Sequence, residues 1–371
     1  MKIVVQHEEL ASRLSSAARV AVGKGANASL SGVQIVAKDG SVELRATNME
    51  SSLRNPLLAK IEEEGVVLLP ARVLMDVVKS LPKENVTITH QPVTQDVKIE
   101  AGSSEFTLRT LRNEEFPKLP QAEEEKTWSV ESKAFAETVA QVSRSASRDE
   151  SRPLLTGIWM SVVTQEGVLR MVATDSYRLA IKTTALESVP EEDFQAIVPA
   201  RALEEAVRIS AGEKAEALKI GLGEGQIVFS VGDTVLTSRM IDGKFPDYKQ
   251  LVPQEFSYSL VFNRKEILER VERIGLMAQK GTPLRFCLNE EGLKLTAQSA
   301  EIGDASDQMP LEWNSEELET GFNPQYLIEG LKSTESEQVE LKLINALKPG
   351  LLESSDGSGF QYLIMPVRLG L

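Results

Sequence analysis

The chain has 371 residues, 42% hydrophobic and 26% charged, with 41 basic against 55 acidic side chains for a net charge of −14. That length suits two or three ordinary domains with real cores, and the acidic balance excludes a protein that grips nucleic acid over its whole surface. No apolar run approaches the ~18 residues of a membrane span, the start Met1-Lys2-Ile3-Val4-Val5-Gln6-His7 turns polar too early for a secretory signal, and the lone Cys287 permits no internal disulfide, so a reducing, cytoplasmic setting is expected.

Lys2 to Gln6 is predicted as a strand and Glu8 to Ala21 as a helix, with Leu10, Leu14, Ala17, Ala18 and Ala21 on one side and Gly23 to Gly25 ending it. Leu30 to Lys38 and Val42 to Ala46 are strand-like. A second helix, Arg72 to Leu81, starts behind Pro70 with Val73, Leu74, Val77 and Val78 inward. Strands follow at Val86 to His90, Asp96 to Glu100 and Glu105 to Leu111; Phe116-Pro117 closes the unit, and Gln121 to Lys126 reads as a polar linker.

The same order then recurs. Helix Ser132 to Ala146 matches the first helix, and Leu154 to Val162 with Val168 to Thr174 match the strand pair. Pro199-Ala200-Arg201 repeats Pro70-Ala71-Arg72, and Phe245-Pro246 repeats Phe116-Pro117, both 129 positions on (199 − 70; 245 − 116). A third unit places a helix at Asn263 to Met277, strands at Pro283 to Leu288 and Gly292 to Ala297, and a second helix opening at Asn323-Pro324-Gln325. One separation shared by independent landmarks predicts three copies of one domain, at 1–122, 123–252 and 253–371, each an α+β unit of two helices on mostly antiparallel strands.

The run Ala173-Thr174-Asp175-Ser176-Tyr177-Arg178-Leu179 centres this pattern, with an echo at Ala46-Thr47-Asn48-Met49, 127 positions earlier (174 − 47). Thr174 to Ser176 reads as a turn ending a strand. The guanidinium fork of Arg178 suits a binding rim better than a core.

Arg72 and Lys79, like Arg201 and Arg208, stand seven apart, which brings each pair to one helix face; Lys332 continues the series. The first helices add Arg13, Arg19, Lys133, Arg144, Arg264 and Arg270, while acidic runs fall at Glu62 to Glu64, Glu123 to Glu125, Glu191 to Asp193 and Glu316-Glu317. Cations gathered on helices and anions in loops would steer a polyanion to one face.

No catalytic pattern emerges. His7 and His90 lie in unrelated places outside any metal-ligand or triad spacing. Cys287 reads as a buried strand residue, and Gly221 to Gly225 as a hairpin instead of a phosphate loop. Neither a cofactor nor a metal is expected.

Four motifs carry a family likeness over the whole chain: Ala173 to Leu179, Gly243-Lys244-Phe245-Pro246-Asp247-Tyr248, Phe322-Asn323-Pro324-Gln325-Tyr326, and Tyr362 to Leu369. In these the chain resembles the bacterial sliding clamps, the β subunit of the replicative DNA polymerase. The resemblance implies three clamp domains per chain, a head-to-tail homodimeric ring of six domains around double-stranded DNA, and no catalysis of its own. It implies as partners the replicative polymerase catalytic subunit, the clamp loader, and repair and translesion polymerases carrying a clamp-binding motif, with no membrane partner.

By position, the resemblance implies a partner-peptide pocket. Leu155, Thr174, Ser176, Arg178, Leu179 and Pro246 would form one part; Leu347, Ile364, Met365, Pro366, Val367, Arg368 and Leu369 would form the other. It implies a dimer interface of Phe106 and Leu108 against Leu276 and Met277, and DNA contacts from Lys24, Arg72, Lys79, Arg148, Arg152, Arg201 and Lys280. Ser176-Tyr177 stands where many relatives have Gly-His, Gln250 where some have Arg, and Gly370-Leu371 extend past the usual final Leu. Two readings compete: a non-DNA repeat scaffold that collects peptides beside Arg178, and a hydrolase centred on Asp175 and Ser176, which lack an accompanying base.

Overall fold

The computed structural model describes residues 1–21, 27–120, 126–186, 188–278 and 281–369. Lys24, Lys280, Gly23 to Gly25, the acidic run 123–125 and Gly370-Leu371 lie outside the described residues.

Among the described residues, six longer helices fall into three pairs: His7–Val20 with Ala71–Ser80, Ser132–Ser143 with Ala200–Glu213, and Arg264–Gly275 with Pro324–Ser333. Their positions follow from the sequence chemistry. Leu10, Leu14 and Ala17 bury one stripe of the first helix, Glu8 and Glu9 meet its positive end, and Arg19 meets its negative end. Asn263 caps the fifth by accepting from the Glu266 amide, and Asn323 caps the sixth from the amides of Gln325 and Tyr326, with Pro324 in the first turn.

Two helical expectations are corrected. Val73 is 46% exposed, and Met75 takes an inward place instead. The third helix ends at Ser143, before Ala146, because the amides of Ser145 and Ala146 fold back onto Val142 and Ser143 in tight turns.

Four antiparallel sheets carry one wiring three times over. In the first third, Lys2–Gln6, Asn85–Gln91, Asp96–Ala101 and Ser104–Arg109 lie side by side, with Ala59–Glu63 added at the outer edge. The companion set is Gly65–Pro70, Gly32–Lys38, Ser41–Thr47 and Ser51–Pro56. The middle third repeats both, as Lys126–Glu131, Ala217–Gly223, Gln226–Val231 and Thr234–Arg239, and as Phe194–Pro199, Gly157–Val163, Val168–Thr174 and Arg178–Ala185. The last third gives Tyr258–Asn263, Gln338–Leu343, Gly350–Ser354 and Phe360–Ile364, and then Leu318–Phe322, Leu284–Asn289, Gly292–Ser299 and Gly303–Met309. Glu62 and Glu63, expected in a loop, belong to the edge strand Ala59–Glu63, where Lys2 meets Glu62 at 2.9 Å.

Neighbouring thirds fuse at strand edges. Thr234–Arg239 pairs with Ser51–Pro56 from Val235↔Arg54 to Ser238↔Ser51, and Phe360–Ile364 pairs with Arg178–Ala185 from Lys182↔Phe360 to Arg178↔Ile364. Each fusion makes one continuous eight-stranded sheet. The chain accordingly groups into two compact units, one chiefly Met1–Phe135 with Arg201–Met240, the other chiefly Ala136–Leu186 with Ile241–Leu371. The middle third contributes to both because each of its sheets continues into a different neighbour. Among the described residues, the counterparts of the fused strands that are left unjoined are Ser104–Arg109 in the first unit and Gly303–Met309 in the second, each paired on one side only.

Candidate partner-peptide site and basic helix faces

The second unit builds a tight turn at Thr174–Arg178. The Thr174 hydroxyl donates to the Arg178 carbonyl at 2.6 Å and accepts from the Ser176 amide at 3.1 Å. Asp175 Oδ1 accepts from the amides of Tyr177 (2.9 Å) and Arg178 (3.0 Å). These bonds hold Ser176 at φ 81°, a left-handed backbone rarely adopted by a side-chain-bearing residue. The Met365 amide then donates to the Tyr177 carbonyl at 2.9 Å, extending the Phe360–Ile364 strand past the turn.

Arg178 is not a rim group, contrary to the sequence expectation. It is 9% exposed. Its Nε donates to Asp175 at 3.1 Å, while Nη1 reaches the Glu329 carboxylate and, at 3.4 Å, the Tyr362 hydroxyl. Nη2 donates to the Arg144 carbonyl, and the guanidinium lies 4.5 Å from the centre of the Tyr326 ring. The Tyr362 hydroxyl in turn donates a hydrogen bond to the Tyr326 carbonyl at 2.8 Å. Burial opposes the charge, but Tyr362 and Glu329 outweigh it and hold the guanidinium pKa above its ordinary value. Arg178 thus ties the turn to the Pro324–Ser333 helix. Glu329 carries no sequence motif; its only signal is a place one helical turn after Tyr326.

Beneath the turn, Leu179 joins Val172, Ile181, Ile197, Phe245, Tyr248, Leu351 and Leu363 in one buried cluster, with Leu154 packed against it. Leu155 is half-buried, and Pro246, after the buried Phe245, is exposed. Ile364 is buried, Met365 is 42% exposed, Pro366, Val367 and Leu369 are half-buried, and Arg368 is exposed. Gly321 lets this segment lie close: a Cβ there would fall 2.6 Å from Leu369 Cδ2, and the Val367 amide donates to the Gly321 carbonyl at 2.8 Å. The structure therefore brings Thr174, Ser176, Arg178, Leu179, Ile364 and Met365 together directly. Leu347 stands 73% exposed on a turn made by Asn345. Tyr177, 59% exposed, stacks on Tyr326 with centroids 6.5 Å apart, adding an aromatic ledge. Apolar anchors beside a polar, rigid turn are the features that fix a short peptide.

The helical cations divide into two groups. Arg13 pairs with Glu9 and Glu213, Arg19 with Glu205, Arg208 with Glu204 and Glu205, Arg270 with Glu266 and Asp307, and Lys332 with Glu272. Arg72, Lys79 and Arg148 are exposed and have no carboxylate within 4.0 Å among the described residues. Arg201 is exposed on its helix. Arg152 meets Asp149 at 3.0 Å and donates to the Ser176 hydroxyl at 3.2 Å, which sets it beside the turn. Cys287, expected in the core, is only half-buried. Among the described residues no group of three or more His, Cys, Asp or Glu could hold a metal ion, and no helix is long and apolar enough to cross a membrane.

Helix pairs on antiparallel sheets, wired three times and joined edge to edge, define a protein of the DNA-clamp class. Models for the N-terminal, central and C-terminal domains of the DNA polymerase III beta subunit match residues 1–120, 129–247 and 249–368. A beta sliding clamp of Streptomyces coelicolor is 33% identical over 379 residues, and one of Synechococcus elongatus 32% over 376, each spanning 100% of both chains. The solved beta subunit of Thermotoga maritima superposes with a TM-score of 0.92 at 27% identity over 100% of both chains. The chain belongs to the DNA polymerase III beta subunit family, the bacterial sliding clamps. Its role is that of a processivity subunit, working with DNA and a polymerase and not itself catalytic.

Proposed function

We propose that two copies close head to tail into a ring around duplex DNA, each contributing three domains at 1–122, 123–252 and 253–371, in the cytoplasm. The observation that carries this reading is the arithmetic of edges. The last strand of the middle third joins the companion set of the first, and the last strand of the final third joins that of the middle. Among the described strands, the same rule leaves Ser104–Arg109 and Gly303–Met309 as the counterparts not yet joined, and pairing them between two copies would complete the pattern. Phe106 and the half-buried Leu108 lie on one face of the first edge; Leu276, 76% exposed, and Met277 follow the helix Arg264–Gly275. These four residues form the contact between copies.

The site at Thr174–Leu179 and Ile364–Leu369 takes a short linear motif from the replicative polymerase catalytic subunit, the clamp loader, and repair and translesion polymerases. Leu155, Pro246 and Leu347 contribute apolar surface to it.

The DNA face comprises Lys24, Arg72, Lys79, Arg148, Arg152, Arg201 and Lys280. Arg72, Lys79 and Arg148, with no carboxylate within 4.0 Å among the described residues, are available to exchange between phosphates and water, so the ring holds DNA without gripping a sequence. Arg72→Ala and Lys79→Ala should each lower the slope of log affinity against log salt by about 0.9 per lost phosphate contact. Fluorescence anisotropy on a short duplex measures it. An unchanged slope in the double variant would remove both residues from the DNA face.

A further inference from the structure

The first unit holds a second copy of the partner-site turn. Thr47 Oγ1 donates to the Ser51 carbonyl (2.9 Å) and accepts from the Met49 amide (3.1 Å), as Thr174 does with Arg178 and Ser176. Asn48 Oδ1 accepts from the amides of Glu50 (3.0 Å) and Ser51 (2.7 Å), as Asp175 does from Tyr177 and Arg178. Met49 stands at φ 74° where Ser176 stands at 81°. The Arg239 amide donates to the Glu50 carbonyl at 2.8 Å, as that of Met365 does to Tyr177 at 2.9 Å. A left-handed backbone at a non-glycine residue is unfavourable, yet both junctions keep it.

Beside this turn lies a cavity of about 180 Å³ lined by Thr47, Met49, Glu50, Lys118, Gln226 and Arg239 among others. That is below the roughly 300–1,000 Å³ of a small-molecule pocket, so it fits an anchor side chain of a peptide and not a free metabolite. Its chemistry departs from the partner site. Arg239 stands at the position of Met365, Glu50 at that of Tyr177, and no buried arginine fills the place held by Arg178, where Ser51 stands. Lys118 and Arg239 are exposed and have no carboxylate within 4.0 Å among the described residues. With Glu50 opposing them, the lining keeps a net positive charge, and Pro117 and Pro120 add rigid apolar wall.

We infer that this cavity is a second peptide-docking site, selective for an extended partner segment whose Asp or Glu side chain anchors between Arg239 and Lys118 beside Met49. The inference rests in part on the partner-site reading of the Thr174 turn, so each site needs its own reporter. Methionine-methyl NMR supplies them: Met49 reports the new cavity and Met365 the partner site. The probes are acetyl-Ala-Glu-Leu-amide and acetyl-Ala-Gln-Leu-amide, added to the full-length protein at millimolar concentration and low salt.

The Met49 methyl signal should move with the Glu peptide and bind the Gln peptide about tenfold more weakly, the size of one charge-assisted hydrogen bond. Arg239→Ser should abolish the Met49 response and leave the melting temperature unchanged. A still Met49 signal, equal affinity for both peptides, or a response that survives Arg239→Ser would each overturn the proposal. A Met365 signal insensitive to an apolar partner peptide would count against the partner-site reading alone.

Discussion

Replacing Arg178 by Ala should destabilise the unit that contains it by about 3–5 kcal/mol, because it leaves two half-buried carboxylates and a carbonyl without their charged donor. Asp175, Glu329 and the Arg144 carbonyl all lose their charged donor, and Tyr326 loses the cation over its ring. Arg178→Lys should recover part of this, since an ammonium restores the charge but not the fork. The loss is also pH-dependent. Burial raises the pKa of Glu329, but hydrogen bonds from Gln325 and Arg178 outweigh it and leave the group below its ordinary 4.5. A depressed acid contributes stability that is complete above the unfolded value and fades as pH falls through the folded one. Thermal melts below about pH 4.5 should therefore steepen in wild type and flatten in Glu329→Gln. Met365→Ala is the companion measurement. Its side chain is 42% exposed, so the melting temperature should hold while partner-peptide affinity drops about tenfold or more. A stable Arg178→Ala protein would mean that the buried pairs carry no weight.

Under the proposed head-to-tail dimer, Phe106→Asp should yield monomers of 40.7 kDa at micromolar concentration, with self-association weakened at least about 100-fold. Phe106 sits opposite the buried Ile99, on the core side of a strand that pairs on one side only, so an added carboxylate is placed where the proposed second copy would continue that face. Phe106 is 36% exposed, which keeps the folding penalty small. Leu276→Asp, on the opposite contact, should act alike, whereas Val93→Asp, at 97% exposed, should leave the mass unchanged. Analytical ultracentrifugation separates these outcomes. A Phe106→Asp protein that sediments as a dimer would remove the Ser104–Arg109 edge from the interface.

The sequence made the helices and the repeat legible because apolar side chains recur at helical spacing and landmark pairs such as Phe116-Pro117 and Phe245-Pro246 share one offset. It offered no sign of Ser51–Pro56 as a strand, since Ser, Arg, Asn and Pro lack a clear apolar alternation. That strand lies inside an eight-stranded sheet because Leu53 is buried and Asn55 satisfies its amide against the Arg13 carbonyl and Thr234. Arg178 was misplaced for a related reason: a charge reads as surface until its partners are known, and Glu329 and Tyr362 are supplied from far along the chain. The Thr174 turn itself was readable, since Thr and Asp at these positions bond their own backbone.

The most direct measurement loads the protein on circular duplex DNA and then cuts the circle once. A topological link predicts that bound protein is stable on the intact circle and slides off the free ends after cutting, even at low salt. Protein that stays on linear DNA with unblocked ends would show that contacts, not closure, hold it there, and would contradict the ring.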